Sequence, residues 1–160
     1  MSSTNTASAE GRVPDSGPLT HATAYRDNIF ALTQQAEDAV LRPVDCGLWP
    51  TDLRAALAAR LAARMGLASV AERYLTRVTG SNAVIADATQ DGADLGLAAG
   101  VAIMDKVALE AHAVTAADIP GLQGAGISDA DIVRLCELNA FLAYQFRLIA
   151  GLRLLSGATT

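Results

Sequence analysis

Aromatic side chains are scarce in this chain: one Trp, three Tyr and three Phe among 160 residues. The β-branched runs that mark strands are missing as well. Alanine and leucine, both strong helix formers, supply much of the 51% hydrophobic content. These two shortages and one surplus predict an all-α fold.

Positive charge is also short. Twelve Lys and Arg stand against 17 Asp and Glu, a net charge of −5, and the basic residues are scattered. A nucleic-acid partner, which requires a basic patch, is not expected. No apolar stretch is long enough for a membrane span, and the most apolar region is interrupted by Arg134, Glu137, Arg147 and Arg153. The N-terminus is polar from Ser2 onward, without the apolar core of a secretory signal. A cytoplasmic location is the expectation, with Cys46 and Cys136 both reduced, although their wide separation does not itself forbid a disulfide.

What is present fits one domain able to bury a core without staples. Residues 1–20, rich in Ser, Thr, Gly, Pro and Asn, read as a disordered tail. Residues 21–160 read as a helical domain of about six helices. The first is predicted over His21–Leu41, with Tyr25, Ile29, Leu32, Ala36 and Val40 on its inner face. Pro43 stops it. Thr51 or Asp52 caps a second helix with Leu53, Leu57, Leu61 and Met65 on one face. Gly66 interrupts that element, and Ala68–Val78 resumes the helical pattern. The stretch from Asn82 to Ala93 reads equally as a short helix or a loop.

A further helix is predicted over Asp94–Ala113, facing inward through Leu97, Val101, Met104 and Ala108. Its internal glycines, Gly96 and Gly100, point to tight packing. Thr115 with Asp118 resembles a capping box. Gly126-Ile127-Ser128 followed by Asp131 supplies a breaker, a capping serine and a carboxylate at the positive helix end. The last helix should run over Asp129–Leu155 and is apolar around so much of its circumference that it is expected to be covered on more than one side, as the central helix and as a subunit interface.

Two segments resemble the carboxymuconolactone decarboxylase and alkylhydroperoxidase D-like family. One is Gly126-Ile127-Ser128, Asp131-Ile132-Val133, the run Ala140 to Arg147, and Ala150-Gly151-Leu152-Arg153-Leu154-Leu155. The other is Thr51-Asp52-Leu53-Arg54, similar to the start of the family's core helix, with Arg54 at its arginine. The resemblance is nearest to decarboxylase-domain proteins that occur beside, or fused to, a second alkylhydroperoxidase-like domain. It implies an all-α fold that self-associates into dimers, trimers or hexamers.

The peroxidase branch of that family carries Cys-x-x-Cys with a histidine four residues later, so that one thiolate attacks peroxide and the second resolves the sulfenic acid. The corresponding segment here, Gly66 to Tyr74, contains neither cysteine nor histidine. The histidine of the decarboxylase branch is missing too. Dithiol peroxidase chemistry is therefore excluded for this chain alone.

The remaining candidates are individual residues. Cys136 lies on an apolar stripe of the last helix and is expected to be a buried, inert thiol. Cys46, beside Gly47 in a connector, is a candidate for oxidation. His112 is expected near a helix C-terminus, and His21 in solvent. No cluster of His, Cys, Asp and Glu has zinc spacing, so no metal is expected. Gly92, Gly96 and Gly100 have no strand before them and no P-loop lysine, so no phosphate loop and no cofactor are expected.

Tyr144, Gln145 and Arg147 are polar groups on a very apolar helix. Arg147 should pair with an acid on a neighbouring helix, or hold a substrate carboxylate. Glu72 and Glu110 serve as general bases if buried, and are otherwise solvated. Two functions follow from these residues and the resemblance. One is an interaction protein, a degenerate homo-oligomeric subunit whose partner alkylhydroperoxidase-like domain carries the cysteines. The other is a cysteine-independent enzyme acting on a small peroxide, lactone or oxidised acid in an apolar helical pocket.

Overall fold

The computed structural model describes residues 5–157, and every regular element among them is helical. In chain order these are α1 (Thr6–Glu10), α2 (Pro18–Tyr25), α3 (Asp27–Leu41), α4 (Thr51–Arg64), α5 (Ala68–Leu75), α6 (Ala98–Leu109), α7 (Asp118–Gly124) and α8 (Asp129–Ser156). Three 3-10 segments, Gly80–Ala86, Ala93–Leu95 and Ala111–Ala113, lie between α5 and α7. More helical segments form than the six or so expected. The all-α expectation holds, and no helix among the described residues is long and apolar enough to cross a membrane.

The centre of the fold is α4, not the last helix. Every residue from Leu53 to Ala62 is buried. The leucines fill the core, while the alanines between them present almost no side chain, so α5, α3, α6, α8 and the first 3-10 segment close around the helix. Met65, expected on the same face, lies past the helix end and is exposed.

Two buried arginines on α4 hold its neighbours. Arg54 donates from Nε to the Trp49 carbonyl (2.8 Å) and from Nη1 to the Val40 carbonyl (2.8 Å), fastening the connector between α3 and α4. Arg60 donates to the Asp105 carboxylate on α6 (2.8 Å from Nη2) and to the carbonyls of Asp87 (2.6 Å) and Gln90 (2.7 Å). These bonds shape the segment from Asn82 to Ala93, which is a 3-10 turn followed by a loop.

The start of α8 forms as expected, and its end, expected near Leu155, falls at Ser156. Ser128 Oγ accepts from the Asp131 N–H and donates back to its carboxylate, while Gly157 closes the helix in the left-handed conformation. Its buried residues include Ile132, Leu135, Leu138, Leu142, Phe146 and Ile149. The helix is not covered all round, because Val133, Ala140, Tyr144, Arg147, Leu154 and Leu155 face solvent.

Gly100 is a glycine of the kind expected at a tight contact. A Cβ there would lie 2.4 Å from the Trp49 indole, which rests against α6 at that point. Gly96 instead sits outside the helix with φ +70.

Two expectations fail at the N-terminal end. The helix expected over His21–Leu41 is interrupted at Arg26, which ends α2 and precedes α3. The face of α3 that enters the core is Thr33, Glu37 and Leu41, whereas Tyr25, Ile29, Leu32 and Ala36 are exposed. The polar face wins because each polar group on it meets a partner from another element.

Likewise, the segment read as a disordered tail is packed from Asn5 onward. Asn5 caps α1 by accepting from the N–H groups of Ala7 (2.8 Å) and Ser8 (3.2 Å). The Thr6 N–H donates to Gln34 (2.9 Å), and Arg153 donates to the Glu10 carbonyl (2.8 Å). Tertiary partners, which composition does not reveal, satisfy these polar groups. Residues 1–4 of that tail lie outside the described residues.

Candidate functional site

The chemically densest place in the interior is where α3, α5 and α8 meet. Glu37, Tyr74 and Gln145 are each fully buried there. Gln145 Nε2 donates to the Glu37 carboxylate (3.0 Å) and to the Tyr74 hydroxyl (3.1 Å). Arg77, half-buried, reaches the other Glu37 oxygen at 3.5 Å and lies 5.8 Å above the Tyr74 ring. The amide orientation follows from the carboxylate, since turning it over would place two oxygens face to face.

Burial, reinforced by the Glu37 charge, pushes the Tyr74 phenol far up, so it remains protonated. The cluster therefore contains a buried carboxylate, a neutral phenol and a shared amide. Gln145 Oε1 is buried without a hydrogen-bond partner. The cluster locks three helices in one register.

Two hollows lie elsewhere, and neither is lined by these three residues. A small one of about 70 Å³ sits between α6, α7 and α8, lined by Met104, Leu122, Leu135, Cys136 and Asn139 among others. It has room for about two waters and falls well short of the roughly 300 Å³ of an ordinary ligand site. The other is an open cleft of about 670 Å³ against α1, α2 and α3. Among the described residues its charged lining is Asp15 and Asp27, with no Lys, Arg or His. Such a lining repels a substrate carboxylate.

The residues expected to carry chemistry are dispersed. Glu72 and Glu110 are exposed, as are His21 and His112. The Tyr144 hydroxyl meets Thr33 Oγ1 at 3.0 Å, and since that hydroxyl already donates to the Ile29 carbonyl, tyrosine is the donor. Arg147 is exposed and bonds the carbonyl of Ala143 one turn back (3.1 Å), and among the described residues the acidic partner expected on a neighbouring helix is not there. Cys46 is half-buried, its thiol 3.7 Å from the Pro43 carbonyl. Cys136 is exposed, not buried as expected, because it falls on the flank of α8 that turns outward. Both thiols are free. Among the described residues no group of His, Cys, Asp and Glu is placed to hold a metal.

Of the three polar residues singled out on α8, only Gln145 enters the buried cluster. Glu37, Tyr74 and Arg77 were missed. The available signal was the spacing of Thr33, Glu37 and Leu41, one residue out of phase with the apolar stripe of α3. In comparisons with known proteins, no family model, no curated protein and no solved structure matches this chain.

Proposed function

We propose that this protein is an assembly subunit: a carboxymuconolactone decarboxylase or alkylhydroperoxidase-like domain that has no dithiol chemistry of its own. On this reading it associates with itself or with a cysteine-bearing domain of the same type, and its site serves structure. The observation that carries the reading is the exposed apolar surface of α2, α3 and α8. Tyr25, Leu32, Leu154 and Leu155 are 85%, 58%, 80% and 72% exposed, although the chain has apolar residues enough to bury a complete core elsewhere. Exposed apolar surface, where it forms a patch, marks interaction sites.

Two further features support it. The two sulfurs occupy different surroundings, Cys46 in the α3–α4 connector and Cys136 beside the small hollow at α6–α8. The carboxylate–phenol cluster is sealed inside the fold and opens to neither hollow. Among the described residues the large cleft offers an oxidised acid no cation, and the small hollow has no room for one.

The test is dithiol-driven hydroperoxide reduction by the purified chain, with the Cys46→Ser/Cys136→Ser double variant beside it. Background rates are expected from both. Turnover by the parent chain that disappears in the double variant overturns the reading. Co-expression with a Cys-x-x-Cys-bearing domain of this type should give one mixed species on size exclusion.

A further inference from the structure

The outward face of α8 is organised. Ala130, Val133, Glu137, Ala140, Tyr144, Arg147, Gly151 and Leu154 follow one another at alternating steps of three and four residues. This is the seam period of a two-stranded coiled coil, on the side of the helix that the fold leaves open. All are exposed except Gly151, which is half-buried. A Cβ on Gly151 would meet nothing within 4 Å.

Laid antiparallel on a second copy about the middle of the helix, this face is complementary to itself. A twofold axis passing between Ala140 and Tyr144 sets each Tyr144 over the other copy's Ala140. It sets Val133 over Gly151 and Leu154 over Ala130, a large side chain against a small one in each layer. The fourth layer places Arg147 against Glu137. Among the described residues neither of these two has an ion-pair partner within its own chain.

Other arrangements fail on charge. A parallel pair sets arginine against arginine and glutamate against glutamate. An antiparallel pair slipped by one heptad leaves both charges facing apolar groups. A single isologous register satisfies all four layers.

The helix supplies part of the area that a stable dimer needs. A helix of 28 residues is about 42 Å long and about 10 Å wide. It therefore supplies roughly half of the ~800 Å² per partner that a standard interface buries. α3 packs against α8, its Thr33 Oγ1 meeting the Tyr144 hydroxyl, and carries Ile29, Leu32 and Ala36 exposed.

We infer that a second copy of this chain docks here, α8 against α8 in antiparallel register, with Arg147 of each protomer paired to Glu137 of the other. The inference rests on the assembly reading only in that the chain associates; the face and the register stand on α8 alone.

Charge swapping tests it on the full chain by sedimentation equilibrium. The parent protein should be a dimer. Arg147→Glu and Glu137→Arg should each weaken dimerisation at least about tenfold, and the Glu137→Arg/Arg147→Glu double variant should restore it to within about threefold of the parent. Both positions are exposed, so circular dichroism should show unchanged helix content in every variant. A monomeric parent overturns both this pairing and self-assembly. A parent dimer indifferent to the single reversals, or a double variant no better than the singles, overturns the pairing and leaves the assembly reading standing.

Discussion

Gln145 Nε2 stands 3.0 Å from a Glu37 oxygen in a region where neither residue touches solvent. A carboxylate taken out of water needs its charge met by donors, and here one amide and one arginine supply them. This relationship sets the depth at which α8 lies against α3.

Replacing Gln145 by Leu should therefore destabilise the protein more than loss of a neutral hydrogen bond. Roughly 1.5–3 kcal/mol is expected, the range for bonds to a charged group. Urea unfolding of the parent and the variant measures it. A loss below about 0.5 kcal/mol would mean that the Gln145–Glu37 bond contributes little to the fold.

Arg60 is the second buried dependence. Its guanidinium binds the Asp105 carboxylate and carbonyls of the 85–90 segment together. Arg60→Leu leaves those carbonyls without their buried donor and Asp105 with Arg64 alone, and should cost about 1–3 kcal/mol. Limited proteolysis should then show cleavage between residues 80 and 95 earlier than in the parent.

Two glycine-to-alanine changes should have opposite signs. Gly100→Ala drives a methyl into the Trp49 indole, 2.4 Å away, and overpacking costs typically about 1–3 kcal/mol. Gly121→Ala, in α7, meets nothing within 4 Å and should stabilise by about 0.5–1 kcal/mol through helix propensity. Thermal melts of the pair should bracket the parent.

Acid sensitivity should trace partly to Asp131. The Leu48 N–H, then the Ser128 hydroxyl, with Arg134 beside them, hold its carboxyl below the usual range. A depressed folded value means that the unfolded chain binds the proton more readily. The contribution is complete above the unfolded value of about 3.9 and is lost as pH falls through the lower folded value. Asp131→Asn should melt lower than the parent at pH 7 and show a flatter decline below pH ~4.

Much of the architecture was legible in residue order. Ser128 with Asp131 marks the start of α8, and the four-residue spacing of Leu53, Leu57 and Leu61 marks the buried face of α4. On α3 the same reasoning chose the wrong face. Apolar periodicity finds a stripe without naming what covers it, and Thr33 and Glu37 take the interior because Tyr144, Gln145 and Arg77 arrive to bond them. The Glu37–Tyr74–Gln145 cluster draws on three helices up to 108 residues apart, and no local spacing joins them.

Residue order alone determined that the chain is helical, where α4 and α8 run, and that no neighbouring pair of thiols exists. Helix propensity, caps and composition act over a few residues, so they can be read locally. Tertiary structure decided which face of α3 turns inward, that Asn5–Glu10 packs against α3 and α8, and that Arg147 points to solvent. Those outcomes depend on partners distant in the chain, since a polar group enters a core only when another element brings the atom that satisfies it.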